Sequence, residues 1–133
     1  MKNATTKRTM TTDEMREELA FYTKGAKKFY DDAQAKFLAD IQTNPVSAVT
    51  WSAETMVKTQ TDHEVWMRIE RELTEHEPAE VLAENLKEVQ YRVRSFFGSN
   101  STSIFSNAVE RARAEAYIRQ AEQLEALIKH FGI

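Results

Sequence analysis

Glycine and proline are scarce in this chain, and their scarcity is the feature that most restricts its fold. Only 3 glycines and 2 prolines occur in 133 residues. A sheet protein of this length needs turn residues at about every 8–12 positions, and this chain does not have them. The sequence therefore predicts an all-α fold in which the clearest helix boundaries lie at Pro45 and Pro78.

The first predicted helix covers residues 12–43. Thr11 and Glu14 have the spacing of a capping box, which satisfies free amide groups at a helix start. Apolar side chains then recur every three or four residues and form one stripe along the helix. They are Met15, Leu19, Tyr22, Ala26, Phe29, Tyr30, Ala33, Phe37 and Ile41. This stripe predicts that one face of the helix is buried.

A second helix is expected to begin at Pro45, with Asn44 as its N-cap. Its apolar face changes side along its length. Residues 58–64, where the change occurs, contain weak helix formers and a second capping-box spacing. Either the helix breaks there, or it is continuous and its two halves pack against different neighbours. The first half carries Val46, Val49, Ala53, Met56 and Val57, and the second half carries Trp66, Ile69 and Leu73 on nearly the opposite side.

Two further helices complete the predicted fold. Pro78 begins the third, which ends before Gly98, a natural C-cap, and the fourth covers residues 103–131. These elements predict an elongated antiparallel bundle of four helices, or of five if the second helix breaks. The third helix is about ten residues shorter than its neighbours. Part of the longer apolar stripes would then stay uncovered, and self-association would cover it.

Residues 1–10 are predicted to form a flexible basic arm, and residues 11–133 a single helical domain. The arm carries Lys2, Lys7 and Arg8 and no acid. The formal net charge of the chain is -3, so the whole molecule does not attract nucleic acid. Its apolar runs are far shorter than the roughly 20 residues of a transmembrane helix, and its polar opening is not that of a signal peptide. We therefore expect a cytoplasmic protein without a transmembrane segment.

The sequence lacks the common catalytic and metal-binding patterns. Without cysteine the chain has no thiolate nucleophile, disulfide framework or iron–sulfur cluster. The Glu-x-x-His motif of di-iron bundles is missing, since Gln60, Leu73 and Leu127 stand three residues before the three histidines. Arg71 and His76 have the Arg-x-x-x-x-His spacing of HEPN ribonucleases, but this loose spacing often arises by chance. We therefore predict no enzyme activity, no cofactor and no metal site.

Binding to another protein is the function that the sequence favours. Trp51 lies off the stripe that contains Val46. On a regular helix it lines up with Ile69 and, less closely, with Leu73 and Trp66. We predict these four residues as an interaction face, because tryptophan is enriched among residues whose truncation most weakens binding. The alternative is that this face packs within the bundle.

The predicted protein is therefore a non-enzymatic structural, adaptor or regulatory subunit, of phage or bacterial type, that forms homo-oligomers or docks on a protein partner. One alternative is a nucleic-acid-associated regulator that uses the basic arm, although acids beside the other basic clusters argue against nucleic-acid binding. A second alternative comes from a resemblance. The long amphipathic helices separated at Pro45 are similar to those of phasins over the first two helices, and this implies a protein that coats polyester granules.

Overall fold

The computed structural model describes the backbone of residues 10–97 and 104–133, and the side chains of residues 10–96 and 108–133. Within these ranges the chain forms helices and no strand, so the predicted all-α fold is confirmed. The helices are α1 (Thr12–Thr43), α2 (Pro45–Ser47), α3 (Ala53–Glu72), α4 (Pro78–Phe97) and α5 (Ile104–Phe131). A π-helix of five residues, Ala48–Ser52, joins α2 to α3.

Side-chain caps begin the first two helices where the sequence predicts them. The Thr11 hydroxyl accepts a hydrogen bond from the Glu14 amide at 3.1 Å, and the Glu14 carboxylate accepts one from the Thr11 amide at 3.0 Å. At the next start the Asn44 side chain accepts a hydrogen bond from the Ser47 amide at 3.2 Å, and Pro45 follows it. Both caps satisfy amide groups that have no partner within their own helix.

The second helical segment does not break at residues 58–64, because α3 passes through them. Thr61 is buried there, and its hydroxyl donates a hydrogen bond to the Val57 carbonyl at 2.8 Å. The irregular segment is instead the π-helix, about ten residues earlier. The two halves of α3 do have different surroundings, since Trp66 and Ile69 belong to the hydrophobic core and Val57 does not. The helix is therefore continuous through residues 58–64, and it is its second half that contributes to the core.

The helices pack as two hairpins, α1 with α3 and α4 with α5. At the start of α1, Arg16 donates hydrogen bonds to the Leu73 carbonyl and, at 3.0 Å, to the His76 carbonyl beyond the end of α3. The hairpins meet mainly through α3 and α5, where the Lys58 ammonium lies 2.7 Å from the Glu115 carboxylate. Because α1 has 32 residues and rises by about 1.5 Å per residue, the bundle is elongated.

The hydrophobic core lies at one end of the bundle, the end where α1 and α4 begin and α3 and α5 end. Leu19, Ile69, Leu82 and Leu124, one from each of these helices, have no exposed surface. The cluster around them contains Met15, Ala26, Val65, Trp66, Leu73, Val81, Val89, Leu127 and Phe131. All four long helices therefore bury their apolar faces against one another at this end.

The opposite end of α1 is less covered. The stripe predicted on this helix is buried at Leu19 and Ala26, but Phe29 and Ile41 are exposed. Beyond Phe29 the neighbours of α1 are α2, the π-helix and the first part of α3, so fewer helices cover its apolar face there. Part of the stripe of α1 is therefore uncovered in the single chain, which is what the unequal helix lengths predict.

Candidate interaction surfaces

The four residues predicted as an interaction face do not lie together on the surface. Trp66, Ile69 and Leu73 are 3%, 0% and 8% exposed and belong to the core, whereas Trp51 is 69% exposed. Trp66 stacks on Tyr22 of α1, with ring centroids 5.3 Å apart. The alternative interpretation, that this face packs within the bundle, therefore holds for Trp66, Ile69 and Leu73. Of the four predicted residues, Trp51 is the one that a partner could contact.

The position of Trp51 along the helix explains why it departs from the predicted face. Trp51 lies 18 residues before Ile69, which is about 27 Å along a helix, and the hydrophobic core does not extend that far. The π-helix, where the Ala53 amide bonds to the Ala48 carbonyl five residues earlier, adds only a small rotation to this displacement. In the structure Ser52 is buried, and Trp51 beside it is exposed to solvent.

The first candidate surface is the tip of the α1–α3 hairpin, which we define as residues 38–51. Residues 41–53 contain no charged side chain, in a chain of which 29% is charged. A contiguous sequence of this kind is suited to protein contact, because its burial requires no desolvation of charge. The large apolar side chains exposed on the tip are Leu38, Ile41, Val46, Val49 and Trp51.

Asp40 holds the tip together by joining α1 to the π-helix. Its carboxylate accepts hydrogen bonds from Lys36 at 2.8 Å and from the Ser52 hydroxyl. The hydrogen bond from Lys36, followed by that from Ser52, lowers the pKa of Asp40 from its usual value. A lowered pKa means that this carboxylate stabilises the fold above its usual pKa, and that the stabilisation is lost as the pH falls through the lowered value. We therefore expect the tip to keep its shape at neutral pH.

The second candidate surface is an open groove of about 670 Å³ between α1 and α5, with α3 as its floor. A volume of this size is typical of binding pockets. Its aromatic side comes from α1, where Phe21 and Phe29 are 75% and 68% exposed. Asp62 on the floor and Arg119 and Gln120 on α5 form the opposite, polar side. One side of the groove is therefore apolar and the other side is polar.

Asp62 is the centre of the polar side of the groove. The Gln120 amide donates hydrogen bonds to the Asp62 carboxylate at 2.9 Å and to its carbonyl at 3.3 Å, and the Arg119 guanidinium donates one to the carboxylate at 3.1 Å. Burial raises the pKa of Asp62, although the hydrogen bonds from Gln120 and Arg119 act to lower it. Gln120 Oε1 is buried and has no hydrogen-bond partner among the described residues. The polar side therefore contains a desolvated carboxylate and an unsatisfied acceptor.

We expect Asp62→Asn to raise the melting temperature at neutral pH by a few degrees at most, because a neutral side chain avoids the desolvation that raises the pKa of Asp62. A carboxyl group with a raised pKa in the folded state destabilises the fold once the pH exceeds that pKa. The gain should therefore shrink as the pH falls through the raised value, where the wild-type side chain is also neutral. Thermal unfolding followed by circular dichroism from neutral to acid pH measures both effects. A variant less stable than the wild type at neutral pH would mean that the ion pair with Arg119 outweighs the desolvation.

Gly25 lies on α1 between Phe21 and Phe29, about one turn from each, and all three residues line the groove. Glycine in a helix interior costs about 1 kcal/mol of stability relative to alanine. The packing of the described residues does not require it, since a Cβ at this position would meet none of their atoms within 4 Å. Phe21, Gly25 and Phe29 therefore form a ridge with a notch at its centre. We call these three residues the Phe–Gly–Phe ridge.

The sequence prediction missed the groove. Phe21 lies away from the apolar stripe of α1, and an aromatic residue in that position one turn before a glycine is a signal of a second apolar surface. Asp62, Arg119 and Gln120 carry no comparable signal. They meet only because α3 packs beside α5, with more than fifty residues of chain between them.

No group of three or more histidine, cysteine, aspartate or glutamate side chains in the described part of the chain is placed to hold a metal ion. His76 Nδ1 lies 3.8 Å from the Glu80 carboxylate, and both side chains are exposed. Lys27 and Lys28 each pair with an aspartate four residues later, at 2.6 Å and 3.0 Å. These lysines therefore lie on a surface of mixed charge.

Comparison with known proteins yields no relative. No protein-family model matches the chain, no curated protein matches it, and no solved structure matches it. In the part of the chain that the structure describes, no helix is both long and apolar enough to span a membrane.

Proposed function

We propose that this protein is a non-enzymatic structural, adaptor or regulatory subunit that acts in the cytoplasm through self-assembly or by docking on a protein partner. The observation that carries the proposal is the tip, where five large apolar side chains are exposed in a segment with almost no charge. None of these five side chains belongs to the hydrophobic core. A contact at the tip can therefore form without any rearrangement of the core.

The unequal lengths of the helices support the same proposal. α1 has 32 residues and α5 has 28, whereas α4 has only 20. The shorter helix leaves part of the apolar surface of the longer ones without cover, and Phe29 and Leu38 of α1 are more than half exposed. A second protein surface would bury these side chains, and each would contribute in proportion to the apolar area removed from water.

The mass of the protein in solution tests the self-assembly part of the proposal. Light scattering coupled to size-exclusion chromatography, at micromolar concentration, is expected to give a mass above the 15.4 kDa of one chain. The larger mass should persist at high salt, because an apolar contact is not screened by ions. A mass of 15.4 kDa at every concentration would contradict self-assembly and leave only docking on a different protein.

The basic arm supplies the alternative function, binding to nucleic acid through Lys2, Lys7 and Arg8. Residues 1–9 of this arm lie outside the described residues, and Met10 packs against the hydrophobic core. A gel-shift titration with generic DNA and RNA distinguishes the two functions, because binding by the arm must weaken steeply as salt increases. A variant that lacks residues 1–9 is the matched control, since it keeps the whole described bundle.

A further inference from the structure

We propose that two copies of this chain bind each other through α1, and that the two helices cross antiparallel at Gly25. This inference rests on the proposed function, of which it specifies the self-assembly part. It starts from the Phe–Gly–Phe ridge, where two aromatic side chains are 75% and 68% exposed on either side of a glycine.

The ridge is symmetric about its glycine. In a two-fold contact both copies present the same surface, so a residue four positions before the axis meets the residue four positions after it. With Gly25 on the axis, Phe21 of each copy lies opposite Phe29 of the other. Side chains spaced by four residues form the ridges that interlock in the commonest class of helix packing, at an interaxial angle of about −50°. The spacing of these two phenylalanines therefore suits a second copy of the same helix.

The glycine allows the two backbones to approach each other closely. The crossing point is where two packed helices are nearest, and side chains on the axis would hold them apart. Gly25 leaves that point free, and apart from the local backbone of α1 and the two neighbouring residues, no described atom of its own chain lies within 4 Å of the position that a Cβ would take. A second helix packed at this position would explain why position 25 is a glycine, since the fold of one chain does not require one there.

The lysines beside the ridge are paired, with one exception. Lys24 and Lys28 lie equally close to the ridge, each three residues after one of its members, and Lys28 pairs with Asp32 at 3.0 Å. Lys27 pairs with Asp31 in the same way at 2.6 Å. Lys24 has no ion pair among the described residues, so each copy brings one unpaired lysine to the edge of the contact, and this repulsion weakens the dimer. An antiparallel crossing also opposes the two helix dipoles, whereas a parallel crossing would align them.

The area of the ridge indicates a weak dimer. At about 200 Å² for each phenylalanine, the exposed parts of Phe21 and Phe29 amount to about 300 Å² per copy and about 600 Å² per dimer. A stable interface buries about 1,200–2,000 Å² in total. The ridge alone provides about half of the lower figure, so the contact is smaller than a stable interface. We therefore expect a dissociation constant in the micromolar range.

Disulfide cross-linking tests the crossing point directly, because the chain has no cysteine of its own. Residues on the axis of the proposed dimer have Cα atoms close to the separation of about 4.4–6.8 Å that a disulfide requires. Gly25→Cys, whose side chain has open space, should therefore form disulfide-linked dimers at micromolar concentration. Trp51→Cys is the control, since Trp51 is more exposed than the half-buried Gly25 but lies at opposite ends of the antiparallel dimer. It should cross-link at least tenfold more slowly.

The two variants also separate the failure of this inference from the failure of the proposed function. Fast cross-linking of Trp51→Cys without that of Gly25→Cys would show that the copies meet at the tip, which overturns the α1 contact and keeps self-assembly. No cross-linking of either variant, together with the mass of a single chain, would overturn the α1 contact and the self-assembly part of the proposed function, and would leave only docking on a different protein.

Gly25→Leu distinguishes association from folding. Leucine favours a helix more than glycine does, and its Cβ meets no described atom within 4 Å, so the melting temperature of the dilute monomer should not fall. At the crossing point leucine separates the two backbones, so the dissociation constant from sedimentation equilibrium should rise at least tenfold. An unchanged dissociation constant would overturn the contact. A clear loss of melting temperature would show that the fold itself needs Gly25, and this would overturn the inference as well.

Discussion

Ile69→Ala is expected to lower the free energy of unfolding by about 2–5 kcal/mol. Ile69 has no exposed surface and lies in the same core cluster as Leu19 and Leu82. Truncation removes apolar contacts and leaves a cavity that the surrounding helices fill only in part. Urea unfolding followed by circular dichroism measures the change, and the dependence on urea concentration should stay the same because the fold is retained.

Met67→Ala is the matched control for this variant. Met67 is on the same helix, two residues before Ile69, and is 47% exposed. Its truncation should change the free energy of unfolding by less than about 0.5 kcal/mol. Equal losses from both variants would show that the core does not lie where the structure has it. A stable Ile69→Ala variant with weakened association would restore Ile69 to the interaction face that the sequence predicted.

The helix boundaries could be predicted from the sequence because they depend on local chemistry. The capping box of Thr11 begins α1, and Asn44 with Pro45 ends it and begins the next helix. Such caps involve residues three apart, so their signal is complete within a few positions. The same holds for Pro78 at the start of α4. The predicted ranges 12–43 and 103–131 differ from α1 and α5 by no more than one residue.

The extent of the core could not be predicted, since it depends on which helices face each other. Leu19 and Phe29 belong to one periodic stripe, yet Leu19 is fully buried and Phe29 is 68% exposed. Periodicity identifies the face of a helix and carries no information about how far its neighbours extend. The contact between Asp62 and Gln120 could not be predicted from the sequence for the same reason, because it depends on the packing of α3 beside α5.

The exposure of Trp51 could not be predicted, because a helical projection shows angles and not distance along the axis. Trp51 lies about 27 Å along the helix from Ile69, beyond the core, and the π-helix of residues 48–52 adds a smaller rotation that nothing in the sequence marks. Trp66, Ile69 and Leu73 do share a face at the end of α3, but that face is buried in the core and not open to a partner.

The two candidate surfaces have different consequences for assembly. The tip begins 13 residues after Gly25, which is about 20 Å along α1. In the proposed antiparallel dimer the two tips therefore point away from each other and remain free. Such a dimer presents two identical binding surfaces, and a partner with repeated sites would be bound more tightly than by a single chain. This geometry fits an adaptor or structural subunit better than a protein that acts as an isolated monomer.

Trp51→Ala is expected to weaken the contact that the tip makes with a partner, or with further copies beyond the α1 dimer, by about 2 kcal/mol, or about 30-fold in the dissociation constant. Its effect on the free energy of unfolding should stay below about 0.5 kcal/mol, because Trp51 is 69% exposed and lies outside the core. Sedimentation velocity over a range of concentrations, together with thermal unfolding, measures both quantities. Tyr91→Ala is the matched control, since Tyr91 is an aromatic residue on α4 that is 58% exposed. A loss of stability like that of Ile69→Ala would assign Trp51 to the core, whereas unchanged association and unchanged stability would show that Trp51 has no part in binding.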